Sequence, residues 1–347
     1  VLDLAQGTRL DPRMMQTSKP MRPAARIRHT LRNLLRPAAA LMLAALVLPL
    51  PASAQSSRAQ LAEVAEALRK YTDIRTAKAE GWKAFGGDEP LMGQHFYPPN
   101  GPDYVAGDKL DFSRPNNLMY TEIDGRMVLT GAAFVVRLGP DDPLPDGFAG
   151  RADRWHVHDF QKAIDAATED RPVLGGIANW WLDRTYYSKG DNRARLAMVH
   201  AWVTMPNPDG PFADFNRLLA YRKLGLPDSW ASGASIESAR GLVLAQEGGC
   251  ERRLEGDFWI ANIKGQQKRR ILTGCEQVAA KIRADLPGTK ARVNARAAEG
   301  HAVFERFLAK ELTADQKRRI AAMAEHGDHG NHADHAGHGQ AGAHAHH

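Results

Sequence analysis

Apolar positions between 57 and 85 recur at helical spacing. Leu61, Val64, Ala65, Leu68, Tyr71 and Ile74 fall on one stripe, and this predicts an amphipathic helix. Gly86-Gly87-Asp88-Glu89-Pro90 then reads as a loop. Its first four residues match the signature of cyclic-dinucleotide synthases, but nothing around them fits. From about 90 the period shortens. Leu118 to Ile123 and Met127 to Leu138 flank Asp124-Gly125, a hairpin signal because such a turn needs positive φ. Val128 to Val136 is almost wholly apolar, so that strand is expected to be buried on both faces. Residues 154–159 read as a short strand, 160–168 as a helix and Ala197 to Met205 as a strand. Phe212 to Leu224 reads as a helix, with Phe212, Phe215, Leu218 and Leu219 on its apolar side. Trp180-Trp181 and Tyr186-Tyr187 form an aromatic cluster to which the sequence gives no role.

Beyond Pro227 the composition turns to Ala, Leu, Glu, Lys and Arg, which predicts a bundle of three or four helices over 234–325. The last of these starts at Thr313, with Gln316 placed to complete a capping box. The expected fold class is therefore α+β. A small mixed β-sheet domain with flanking helices spans 55–228, a helical bundle spans 229–325, and a low-complexity tail spans 326–347. The tail has no means of burying a core and is expected to be disordered without a ligand.

Charge is unevenly placed. Residues 1–54 hold eight basic side chains (Arg9, Arg13, Lys19, Arg22, Arg26, Arg28, Arg32 and Arg36) against Asp3 and Asp11. Removing these from the totals of 46 basic and 40 acidic residues leaves 38 of each, so the whole net charge of +6 lies upstream of position 55. The remainder lacks the footprint of a nucleic-acid binder. The upstream segment has the parts of a cleavable export signal: a basic stretch from Arg22 to Arg36, apolar residues from Ala38 to Leu50, and the small-residue site Ala52-Ser53-Ala54. The apolar stretch is shorter than the ~20 residues that span a bilayer, so no stable membrane anchor is expected. Residues 1–20 read as an upstream extension, with Met15 or Met21 as alternative starts. The expected location is the periplasm or the medium, after cleavage near Ala54.

Cys250 and Cys275 are the two cysteines of the chain. In an oxidising compartment a disulfide is expected. A straight helix would hold them about 37 Å apart, so a bridge requires the chain to turn back, with Gly265 as the candidate turn.

Eight of the fourteen histidines lie in the last 22 residues: His326, His329, His332, His335, His338, His344, His346 and His347. Neutral imidazoles on a flexible backbone, with Asp328 and Asp334 between them, suit capture of copper, zinc or nickel. Such an open tract suits sequestration or delivery better than catalysis, which needs fixed geometry.

A second constellation lies in the expected folded domain. On a strand His156 and His158 share a face. His95, His200 and Glu122 complete a tentative site of imidazoles plus one carboxylate. The order does not match the usual cupin motif. No nucleophile elbow, Cys-His pair or zinc-protease helix is visible, so no catalytic residue is assigned.

Several segments resemble a group of uncharacterised exported bacterial proteins that share Met-Gly-x-His, a Leu-x-Tyr-Glu strand, and His-x-Trp followed by Asn-Pro-x-Gly-x-Phe. The matching segments are Pro90-Leu91-Met92-Gly93-Gln94-His95, the Leu118-to-Phe134 hairpin, His200-Ala201-Trp202, and Asn207 through Asn216. Thr121 separates Tyr120 from Glu122, and Ala133 stands where the group has an acidic residue. The resemblance implies a common domain over about 90–220, with His95 and His200 in it, and implies no activity. Separately, Leu312-Thr313-Ala314-Asp315-Gln316 is similar to the Leu-Thr-x-x-Gln motif of small periplasmic helical chaperones and metal-stress proteins. The leading expectation is an exported metal-binding protein acting through its tail. The alternatives are a metal-dependent enzyme or ligand-binding domain centred on His95, His158 and His200, and a helical chaperone.

Overall fold

The period-2 segments build one curled sheet of seven strands in the computed structural model. The structure describes residues 56–100, 103–139, 141–150, 154–185 and 195–324. The expected export signal and upstream extension, Tyr186-Tyr187 and the histidine tail lie outside the described residues. The strands are β1 (Lys83–Glu89), β2 (Gly93–Tyr97), β3 (Tyr104–Val105), β4 (Asn117–Ile123), β5 (Arg126–Leu138), β6 (His156–Asp159) and β7 (Arg195–Ala201). They run in the order β1-β2-β4-β5-β7-β6, all antiparallel, while β3 joins β5 in parallel. The fold class is α+β, as the sequence indicates.

The long hairpin β4–β5 is the centre of the sheet. Its two-residue turn holds Asp124 at φ 51° and Gly125 at φ 70°, the left-handed pair that matches the twist of the strands. Side chains alternate between two cores. Met119, Ala133, Val135, Leu196 and Met198 enter one, while Leu118, Phe134, Val136, Ala197 and Val199 enter the other. The second core is closed by α1 (Ser57–Leu68), the 3-10 turn Arg69–Tyr71, α2 (Ile74–Ala79), and Phe112, Phe148 and Phe212. The first runs on without a break into the helical bundle, through Leu242, Leu254, Ile271, Ile282 and Phe304. One hydrophobic cluster thus joins residues on either side of position 228.

Three local expectations are corrected. The stripe over 57–85 is not one helix. Gly81, at φ 84°, ends the helical region, and residues 83–89 form the edge strand β1, where helix was expected to 85 and a loop from 86. Strand β7 ends at Ala201, because Trp202 N–H turns away to donate to Pro211 O. The helix expected over 212–224 is confined to α5 (Leu218–Lys223). Asn216 Oδ1 accepts from Leu218 N and starts the helix there, while Phe212 is used in the second core.

Strand β6 leads into α3 (Phe160–Thr168), which α4 (Pro172–Thr185) follows, and α6 (Asp228–Ala231) leads into the bundle. The bundle has five helices among the described residues rather than three or four: α7 (Ile236–Ala245), α8 (Gly249–Ile260), α9 (Gly265–Asp285), α10 (Lys290–Glu311) and α11 (Ala314–Ala324). The capping box forms as expected, with Thr313 N donating to Gln316 Oε1 at 3.0 Å and Gln316 N to Thr313 Oγ1 at 3.2 Å. No helix among the described residues is long and apolar enough to cross a membrane.

Cys250 on α8 and Cys275 on α9 are bridged, with Cα atoms 5.9 Å apart, and the chain reverses between them over residues 261–265, where Asn262 and Gly265 both hold positive φ. The bridge lies wholly inside the core. A double Cys250→Ser and Cys275→Ser change is expected to cost about 3 kcal/mol, the loop entropy of a closure of this size. Urea unfolding of the two forms checks this, and an unchanged midpoint would contradict it.

Candidate metal centre

Three of the sequence-designated histidines meet on the bundle-facing side of the sheet. His95 lies opposite Met119 across β2–β4, His200 opposite Ala133 across β5–β7, and His156 opposite Met198 across β6–β7. Their register partners all belong to the first core, so the rings share its face. Exposure is 8% for His95, 4% for His156 and 0% for His200. These rings are therefore closed off from bulk water.

His95 Nε2 and His200 Nε2 stand 3.3 Å apart. His200 Nδ1 is 2.9 Å from the main-chain oxygen of Asp214. A carbonyl can only accept, so Nδ1 carries the proton and His200 Nε2 presents a lone pair. The bond between the rings then requires His95 to donate from Nε2. The ring of His156 lies 5.0 Å from that of His200, centroid to centroid, and its Nδ1 is 3.3 Å from Asp214 Oδ1. Neither of these two buried atoms has an aligned hydrogen-bond partner. Such orphaned polar atoms are costly in an apolar surround.

Electrostatics follow burial. Desolvation first, and then the charge of His156, push His95 down to about 4. His200 is driven well below the usual imidazole range, again by burial first and then by His156 and His95. Both rings are therefore neutral near pH 7, the protonation state a metal requires.

The segment after β7 positions His200. Trp202 Nε1 donates to Ala213 O at 2.6 Å, and Asn207 Nδ2 donates to Phe215 O at 2.9 Å. Asn216 Nδ2 donates to Pro206 O at 3.0 Å, and Arg217 clasps Asp209 through two bonds of 2.6 Å. The same loop reaches the His95 strand, because Asn216 N donates to Leu91 O at 2.8 Å. The turn at Leu91 to Gly93 needs glycine at its end. Gly93 has φ 82°, and a Cβ there would stand 2.4 Å from Tyr120 O.

The remaining designated residues lie at the edge of this cluster or away from it. His158 packs edge-on against His156 at 4.9 Å, so His156 rather than His158 is the ring beside His200. Glu122 is exposed near the tip of the β4–β5 hairpin, next to Met127, which packs against the second core. It is not part of the cluster. The eight tail histidines lie outside the described residues. Asp214, Met119 and Met198 were not singled out in the sequence. Asp214 left little signal, because its main-chain carbonyl does part of its work.

Among the described residues no group of three or more His, Cys, Asp or Glu side chains stands ready to hold a metal ion. The pair of His95 and His200 fits one as two ligands, since nitrogens bound to one tetrahedral ion at about 2.0–2.1 Å stand about 3.3–3.4 Å apart. A hydrogen bond from the second ring nitrogen to a carbonyl, as His200 makes, is the usual support of a metal-bound imidazole. No protein-family model, curated protein or solved structure matches this chain.

Proposed function

We propose that this chain is an exported transition-metal-binding protein. His95 and His200 hold one ion in the folded domain, His156 swings in as third donor, and the tail histidines gather further ions. The separation of 3.3 Å between the two buried Nε2 atoms carries the proposal. The orphaned Nδ1 of His156 supports it, because a small rotation of that ring exchanges an unsatisfied polar atom for a ligated ring. Export to the periplasm or the medium is supported by the leader pattern and by the disulfide. Storage or hand-over fits better than catalysis, because three rings with at most 8% exposure leave little room for a substrate. Thr313 and Gln316 cap α11, which accounts for the Leu-Thr-x-x-Gln match without a chaperone role.

The test uses the full mature chain in which His326→Asn and the same change at His329, His332, His335, His338, His344, His346 and His347 silence the tail. Titration calorimetry with copper, zinc and nickel is expected to find one ion per chain. Adding His95→Ala with His200→Ala should abolish it, while Glu122→Gln should change nothing. Asp214→Asn, next to His156, is expected to weaken binding by about 10–100-fold. An absence of any bound ion before the pair is removed would leave His95 and His200 as a structural hydrogen bond. The unaltered tail should add several weaker ions.

A further inference from the structure

We propose that the ion selected by this site is cuprous copper, with the thioethers of Met119 and Met198 beside the imidazoles. This rests on the metal-binding reading above and names the ion. Met119 is the cross-strand partner of His95, and Met198 is the cross-strand partner of His156. Partners across an antiparallel pair have Cβ atoms about 4.5–5.5 Å apart, within reach of a flexible Met side chain. Met198 also precedes His200 by two residues on β7 and so shares its face. Met119 is 0% exposed and Met198 8%, and both belong to the same core as Leu91, Ala133 and Trp202.

The surround selects by charge as well as by ligand type. The donors collected here are imidazole nitrogens and thioether sulfurs. The nearby carboxylate is Asp214, whose Oδ1 faces the Nδ1 of His156. The cost of moving an ion out of water grows with the square of its charge, so this apolar setting penalises a divalent ion far more than a monovalent one. Thioether and imidazole donors are those that favour Cu(I), whereas zinc draws little from a thioether. Cys250 and Cys275 are joined to each other, so no thiolate competes for the ion.

The test is an anaerobic titration of the full mature chain with its eight tail histidines changed to Asn as above. Ascorbate serves as reductant and a chromophoric Cu(I) chelator as competitor, with a thiol assay to confirm that the disulfide persists. One Cu(I) per chain is expected, bound at least about tenfold more tightly than Zn(II) in the same buffer. Met119→Leu and Met198→Leu, which nearly conserve volume, should each weaken Cu(I) by at least about tenfold and leave Zn(II) unchanged. Should a Leu variant misfold, X-ray absorption at the copper edge of the parent protein gives the answer, with sulfur neighbours expected beside nitrogen. Equal affinity for the two ions, equal losses in the Leu variants, or an all-nitrogen copper shell would overturn the assignment and leave the metal-binding reading standing. Failure to bind either ion would remove both.

Discussion

Metal-free protein is expected to lose up to about 3 kcal/mol of folding stability between pH 6.5 and pH 4 through His95 alone. In the folded state His95 takes up its proton only near pH 4, against 6.5 for the free side chain. As pH falls below 6.5 the unfolded chain binds a proton that the folded chain refuses. Stability that is fully present above 6.5 is therefore lost progressively down to about 4, and the interval corresponds to about 3 kcal/mol. His200 is displaced in the same direction and adds to the loss as pH falls below the usual imidazole range. Carboxylates also titrate at the acid end, so the informative quantity is a difference. Urea unfolding of the parent and of His95→Leu at pH 7.5, 5.5 and 4.5 should show a markedly flatter pH dependence in the variant. Parallel curves would mean that His95 binds its proton normally when folded.

The second large effect is expected at Gly241, where α7 crosses α10. A Cβ added there would stand 1.9 Å from Ala297 O and 2.5 Å from its carbonyl carbon. The obstacle is main chain of a neighbouring helix, so no side-chain rotation relieves it. The helices must part, and the contacts of Leu242, Val293 and Ala297 in the core part with them. Overpacking usually costs about 1–3 kcal/mol. Gly241→Val, with two further carbons and a backbone obstacle, is expected to reach about 4 kcal/mol or more. Gly256→Val on α8, where an added Cβ meets nothing within 4 Å, serves as the comparison and is expected to be neutral or slightly stabilising, because glycine is the poorer helix former. Similar thermal midpoints for the two variants would show that α7 and α10 can separate at little cost.

What could be read from the chain divides along physical lines. The hairpin was legible because Asp124-Gly125 and the apolar run of β5 are local signals, set by turn sterics and by burial on both faces. Strand β1 was not, because it sits at the sheet edge with most of its side chains exposed, so Lys83 to Glu89 shows no alternation. The segment from Phe212 to Leu224 misled for the opposite reason. Phe212 and Leu218 are both buried, but in two different cores, so their helical spacing was coincidental. At the site, the shared face of His156 and His158 followed from strand period. The meeting of His95 with His200 did not, because 105 residues separate them and only the strand order brings them together. Glu122 looked eligible by residue type, yet its place at the hairpin tip keeps it in solvent.

That long separation also fixes an order of events. Five strands lie side by side from β2 to β6, and His95 and His200 come from two of them that are not neighbours. Until β4 and β5 have settled between them, the two rings are joined only by a long chain whose closure costs entropy. An ion cannot be gripped by both during synthesis or passage as an extended polypeptide. On the proposed reading, loading of the interior would wait for the sheet to assemble, whereas histidines spaced three apart along the sequence would need no such partner.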